Sequence, residues 1–287
     1  MVGMSKEDRF WFGKVRFRVL EGKEGVREAY DCMAGVYDFS EYLYWTRKME
    51  EAEERVIGKW VDGFSGICLD VGCGTGRYSL RIAENGVDVV ALDLSSKMLK
   101  RLKVKAKKSG FCDRVNVVVA DGECLPFREN VFDCLVCALA FDHFEDCEGA
   151  AGEFSRVLKG DGLCVVSVFN GNTLGDFQMR YGFGDKVPFR TEDMSPVLVF
   201  EVGHSAGEVE EVFGNYGFAV ECVKGCCYWH ISRLLEVYYP FWLDSFFNLF
   251  RGLLNKAEIH GVLMRRSIGF YECRFSLCAV RLDPLYI

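Results

Sequence analysis

The stretch Leu69-Asp70-Val71-Gly72-Cys73-Gly74-Thr75-Gly76-Arg77 decides how this chain of 287 residues is read. It follows the apolar run Ile67 to Asp70 and precedes an amphipathic stretch ended by Asn85-Gly86, so a strand, a glycine turn and a helix come in succession. Glycines permit the tight turn and let a ligand approach backbone that a Cβ would otherwise shield. In open α/β sheets such a turn lies at the carboxyl edge of the strands, where ligands bind.

Downstream, Val87 to Asp93 reads as a second strand. Ser95 and Ser96 offer the N-cap of a helix from about Lys97 to Lys108, and Gly110 stops it. Val115 to Ala120, Phe132 to Ala140 and Leu163 to Phe169 follow as strands, with a helix near Cys147 to Leu158. Ser205 to Tyr216 reads as helix, Phe218 to Val223 as extended and Phe270 to Arg281 as a last long strand. The expectation is an α/β fold: a seven-stranded, mostly parallel sheet with helices on both faces and a helical, aromatic insertion before the last strand. Residues 1–28 form an aromatic and basic arm in which Arg16 to Val19 alternates as a strand does; 29–225 form the core; 226–266 the insertion or lid; 267–287 the last strand and tail. Nine aromatics fall between 226 and 250, and the helix expected over Phe241 to Asn255 gathers Asp244, Asn248, Arg251 and Asn255 on one narrow stripe, leaving the rest apolar.

Thirty-five basic against 42 acidic residues give a net charge of −7, without the broad positive field that polyanion binding requires, so nucleic acid is a disfavoured partner. No apolar run has the length of a membrane span, and the first twenty residues interleave basic and aromatic side chains where a signal peptide would be apolar; the expected location is the cytoplasm. The fourteen cysteines read mostly as small buried hydrophobes. Cys134 and Cys137 have CxxC spacing, but a strand there points them to opposite faces and no second pair follows, so no metal site is expected.

Asp93 lies twenty-one residues after Gly72 at the end of the second strand, where a carboxylate accepts hydrogen bonds from a ribose. A dinucleotide site shares that feature, but its turn is GxGxxG and faces a pyrophosphate. Here the turn is GxGxG and opens with Asp70, which repels a pyrophosphate and suits a cofactor carrying an ammonium and a sulfonium. Asp121-Gly122, after the third strand, offers a carboxylate for an adenine amine and an N–H for a ring nitrogen. Three aspartates after three consecutive strands form one constellation, pointing to S-adenosylmethionine.

Together with Asp93-Leu94-Ser95, Asp121-Gly122-Glu123-Cys124-Leu125-Pro126-Phe127, Phe132-Asp133 and Arg156-Val157-Leu158-Lys159-Gly160-Asp161-Gly162, the opening stretch resembles the class I S-adenosylmethionine-dependent methyltransferases. The group most similar is that of the ubiquinone and menaquinone biosynthesis C-methyltransferases, whose opening motif Tyr30-Asp31-Cys32-Met33-Ala34-Gly35-Val36-Tyr37-Asp38 also resembles. The resemblance implies a Rossmann-like fold. It further implies that Gly72, Gly74 and Gly76 wrap the methionine part of the cofactor. Asp93 would hold the ribose hydroxyls, Asp121 with Gly122 the adenine, and Asp70 and the backbone near Ala140 would face the amino-acid end, with Tyr37, Cys73 and Leu94 as further cofactor-binding residues. Where the family commonly has paired histidines or Leu-His after the fourth strand, this chain reads Phe141-Asp142-His143-Phe144, which makes His143 the candidate base. The acceptor expected is a small apolar or aromatic molecule. Two other readings fit the same residues: a tRNA or protein methyltransferase, and a cofactor-binding protein without activity.

Overall fold

The computed structural model describes residues 9–12, 15–39, 44–193, 195–226 and 259–266. Nearest the N-terminus, β1 (Arg9–Phe12) and β2 (Val15–Leu20) form a hairpin, followed by helices α1 (Gly22–Met33) and α2 (Tyr44–Val61). Then strands and helices alternate: β3 (Ile67–Val71), α3 (Arg77–Glu84), β4 (Asp88–Asp93), α4 (Ser96–Ser109), β5 (Val115–Val119), β6 (Phe132–Ala138), α5 (Cys147–Val157) and β7 (Leu158–Phe169). After α6 (Gly171–Tyr181), β8 (Lys186–Arg190), β9 (Pro196–Phe200), α7 (Ala206–Gly214) and β10 (Phe218–Cys226), the described chain ends in β11 (Ile259–Arg266).

The main sheet has seven strands in the order β10-β11-β7-β6-β3-β4-β5. Neighbours from β7 to β5 run parallel, while β11 is antiparallel to both β7 and β10. Strand alternation divides the core between two faces. Leu69, Leu135 and Cys137 pack with Phe154 of α5 and Phe213 of α7 on one side. Cys68, Cys134 and Val136 pack with Ile57 of α2, Ile82 of α3 and Leu102 of α4 on the other. Cys134 and Cys137 therefore face away from each other, as the strand pattern requires.

The helix ends obey local chemistry. The Ser95 hydroxyl accepts from the Met98 N–H at 3.1 Å and caps α4, while Gly110 ends it in the left-handed conformation (φ 78°). Ser205 and Glu208 form a capping box at the start of α7.

Two parts of the architecture depart from the sequence reading. The strand that fills the antiparallel position of the sheet is Ile259–Arg266, inside the stretch 226–266 read as insertion. Its Gly261 is required there: a Cβ would sit 2.5 Å from the Ile57 side chain of α2. Phe270 to Arg281, the helix over Phe241 to Asn255 and most of the aromatic cluster lie outside the described residues. The other departure is a second, four-stranded sheet of order β1-β2-β9-β8, in which the N-terminal arm pairs in parallel with β9. This joins 15–20 to 196–200, segments that no sequence period connects.

Gly76 shows how the glycine turn is tied to packing. It holds φ 90° at the start of α3, and a Cβ there would lie 2.1 Å from Leu102 of α4. Gly76→Ala should therefore lower stability by about 2 to 5 kcal/mol, from left-handed backbone strain and overpacking together. Denaturant unfolding checks this, and Leu102→Ala placed on top of Gly76→Ala should cost less than Leu102→Ala alone.

Candidate functional site

At the carboxyl ends of β3, β4 and β5 the turns open a cleft of about 220 Å³. Tyr37, Asp70, Gly72, Cys73, Gly74, Asp93, Leu94, Asp121, Gly122, Ala140 and His143 all line it. Gly76 does not: its missing Cβ makes room for Leu102, as described above.

The glycine turn is shaped by its neighbours. Gly72 and Gly74 hold φ 66° and 54°. A Cβ on Gly72 would sit 2.3 Å from that of Ala140, whereas nothing lies within 4 Å of one on Gly74. Gly72 is thus needed for close approach of Ala140, just past β6, and Gly74 for the backbone conformation alone. The Cys73 N–H donates to the Leu92 carbonyl at 3.0 Å. The Gly74 N–H donates to Asp93 Oδ2 and the Ser95 N–H to Asp93 Oδ1, both at 2.7 Å. One carboxylate thereby fastens the turn after β3 to the turn after β4.

Asp70 is buried and accepts from the Ser79 hydroxyl at 2.5 Å. Burial pushes its carboxyl up to about 7, with the Ser79 bonds pulling the other way. Burial likewise pushes Asp93 up to about 6, against the pull of the Ser95 and Gly74 N–H groups. Each carboxylate therefore carries a partly unmet demand for positive charge or for further donors. Asp121 Oδ1 accepts from the Glu123 N–H at 2.9 Å, and its Oδ2 meets Lys23 Nζ at 2.8 Å. Lys23, on α1, also reaches Glu123 at 2.8 Å. Burial alone would lower its ammonium, but these bonds outweigh that and hold it well above its ordinary value. Gly122 is a contact glycine, since a Cβ would lie 2.6 Å from the Phe144 ring.

The contacts that hold several lining groups escape a reading by motif. Arg77, directly after the glycine turn, is bound by Glu53 of α2, a fully buried carboxylate that also accepts from the Tyr78 and Ser167 hydroxyls. Thr75 donates to Asp38 at 2.7 Å, and Lys105 reaches the same carboxylate at 3.0 Å. Tyr37 donates to Glu50 at 3.2 Å. Leu139, directly after β6, holds φ 52°, an unusual conformation for leucine, and lines the cleft. Glu53 lies in the run Glu50-Glu51-Ala52-Glu53-Glu54-Arg55, which reads as a solvated face until the fold buries it.

His143 closes the far wall, in the 3-10 turn Phe141–His143. Its Nδ1 lies 2.7 Å from the Phe200 carbonyl and its Nε2 2.7 Å from the Tyr30 hydroxyl. A carbonyl only accepts, so Nδ1 carries a hydrogen; Nε2 accepts the Tyr30 hydrogen when the ring is neutral and donates to the Tyr30 oxygen when it is an imidazolium. Asp142 beside it faces inward, its carboxylate accepting the Phe169 N–H at 3.0 and 3.1 Å, and so fixes the turn to the end of β7.

A family model for a methyltransferase domain matches residues 69–166. The demethylmenaquinone methyltransferase of Thermus thermophilus is 31% identical over 206 residues, which cover 69% of this chain and 81% of that protein. The ubiquinone/menaquinone biosynthesis C-methyltransferase UbiE of Geotalea uraniireducens is 31% identical over 173 residues, 58% of this chain and 72% of its own. The solved S-adenosylmethionine-dependent methyltransferase of Mesorhizobium loti shares the fold, with a TM-score of 0.56 at 19% identity over 76% of this chain and 100% of its own. The strand order, the glycine turn and these relatives agree: the chain belongs to the class I S-adenosylmethionine-dependent methyltransferases.

Proposed function

We propose that the chain transfers a methyl group from S-adenosylmethionine to a small apolar or aromatic acceptor, with the cofactor in the cleft between β3, β4 and β5. The observation that carries this reading is the convergence of Asp70, Asp93 and Asp121 on one cleft beside the glycine turn. The residues fit the cofactor. Asp93 has given one lone pair of each oxygen to backbone N–H groups and keeps others for two ribose hydroxyls, with Leu94 alongside. Asp121 and Gly122 stand where an adenine edge would meet a carboxylate and an N–H. Gly72, Cys73 and Gly74 would border the methionine part; Asp70, Tyr37 and Ala140 would face its amino-acid end.

When bound, the cofactor supplies a methyl group on a positively charged sulfur, whose charge disperses as the methyl leaves. The protein needs no nucleophile of its own. Its tasks are to align two ligands, to exclude water and to take a proton where the acceptor must lose one. Tyr30 and Leu139 give the acceptor side of the cleft an aromatic and apolar wall. The relatives named for quinone biosynthesis support an acceptor ring of that kind, and the net charge of −7 counts against a nucleic acid.

Calorimetry with S-adenosylmethionine, S-adenosylhomocysteine and NAD tests the cofactor. Both sulfur compounds should bind and NAD should not; NAD binding tighter than either would overturn the reading. A second expectation follows from the raised Asp70 carboxyl. The cofactor's ammonium and sulfonium require the ionised form, so protons must leave before binding below about pH 7. The affinity for S-adenosylmethionine should rise about fivefold between pH 6 and pH 7 and then level off. In Asp70→Asn the curve should be flatter. An affinity that falls as the pH rises over this range would place Asp70 away from the cationic end.

A further inference from the structure

Helix α1 is tied to the cleft near both of its ends. Towards its C-terminus Asp31 takes the Ser95 hydroxyl hydrogen at 2.5 Å, beside the turn that Asp93 holds. Towards its N-terminus Lys23 lies between two carboxylates, 2.8 Å from Asp121 Oδ2 and 2.8 Å from Glu123 Oε2. Lys23 and Val26, neighbours on one face of the helix, both line the cleft. Lys23 thus belongs to the cleft wall, next to the carboxylate that would meet an adenine amine. It stands outside residues 69–166, so the family model says nothing of it.

The two carboxylates are themselves held in place. Asp121 Oδ1 accepts from the Glu123 N–H at 2.9 Å. The Glu123 side chain is only 5% exposed and accepts from the Glu145 and Asp146 N–H groups at 3.0 and 3.1 Å. A lysine stem is flexible, and two charged contacts to fixed acceptors take that freedom away. Two carboxylates against one ammonium leave this corner negative, so Asp121 still suits a donor from a ligand. An ammonium carries three hydrogens and accepts none. Among the described residues Lys23 gives two of them, to Asp121 and Glu123, which leaves the third for a molecule in the cleft.

We infer that Lys23 is a cofactor-binding residue whose third N–H donates to a ring nitrogen of the adenine. The inference rests on the adenosyl reading of the cleft and adds a residue to it. The base itself sets the terms: its 6-amine donates, and the ring nitrogens N1 and N7 on either side of that amine accept. Asp121 matches the amine and the Gly122 N–H matches one flank. The other flank calls for a donor standing beside Asp121, which is where Lys23 is fixed. With Lys23 the corner presents donor, acceptor and donor to a base that presents acceptor, donor and acceptor. A base with an oxo group in place of the amine reverses the centre of that pattern and leaves the Asp121 carboxylate facing an acceptor, so it is rejected. Helix α1 thereby takes part in recognising the base as well as in closing the cleft.

The test uses binding, so that it does not depend on turnover. Calorimetry compares S-adenosylhomocysteine with its 1-deaza and 7-deaza analogues, in which a C–H replaces N1 or N7. The unaltered protein should bind the parent compound about tenfold more tightly than either analogue, the difference expected for one hydrogen bond. In Lys23→Met, which keeps the stem and removes the charge, one of the two ratios should fall to one while the other stays near ten. Ratios within one protein cancel any general loosening of α1. In the unaltered protein, nitrogen NMR of labelled lysine should show the Lys23 Nζ resonance moving further with the parent than with the analogue that lacks its nitrogen, a readout independent of how the variant folds. Equal affinities for all three compounds in the unaltered protein, both ratios surviving in Lys23→Met, or one and the same Nζ shift with all three would each overturn the assignment; in the second case Lys23 only braces Asp121. Failure to bind S-adenosylhomocysteine at all would instead overturn the reading of the cleft.

Discussion

A single buried carboxylate joins the two turns on which the site depends. Asp93 takes the Gly74 N–H on one oxygen and the Ser95 N–H on the other, each at 2.7 Å. A carboxylate is costly to remove from water unless such donors replace the lost hydration, and here two backbone N–H groups supply them. Gly74 can donate because its left-handed conformation points its N–H inward, and Ser95 because it stands at the start of α4. The same serine gives its hydroxyl hydrogen to Asp31 at 2.5 Å, which draws the end of α1 down onto the turn. From one anion, then, follow the shape of the glycine turn, the register of α4 and the position of α1.

That chain of contacts explains why the N-terminal segment belongs to the site. Helix α1 brings Lys23 to Asp121 and Tyr30 to His143, and the segment after it brings Asp38 to Thr75. On its other side α1 packs on the second sheet, where Leu20, Val26, Ala29, Val197 and Val199 form a small core of their own. The hairpin, β8 and β9 thus form a support that holds one wall of the cleft against the carboxyl edge of the main sheet. Chemistry that needs two ligands aligned to within a fraction of an ångström is served by walls fixed from both sides.

The glycine turn and its three aspartates are legible in the sequence because their spacing follows from backbone geometry: strand, turn and helix recur at fixed intervals, and a carboxylate at a strand end is close in sequence to what it holds. The main sheet is legible for the same reason, through its β-branched and apolar runs. What the sequence hides is contact between distant segments. Tyr30 and His143 are 113 residues apart and Glu53 and Ser167 114, and no periodicity announces either pair. Glu53 sits in an acidic run that looks solvated until α2 covers the sheet. Gly261 lies in the stretch read as insertion and leaves room for Ile57 of α2. Gly76 looks like part of a ligand cradle, and its lost Cβ serves Leu102.

The proposed function requires the cleft at the ends of β3, β4 and β5 to hold an adenosyl cofactor around Asp93. A crystal structure of the complex with S-adenosylhomocysteine decides this. Both ribose hydroxyls should lie within hydrogen-bonding distance of the Asp93 carboxylate, with that carboxylate still holding the Gly74 and Ser95 N–H groups, and the adenine edge beside Asp121 and Gly122. A complex in which the ribose hydroxyls contact other groups and leave Asp93 untouched would contradict it.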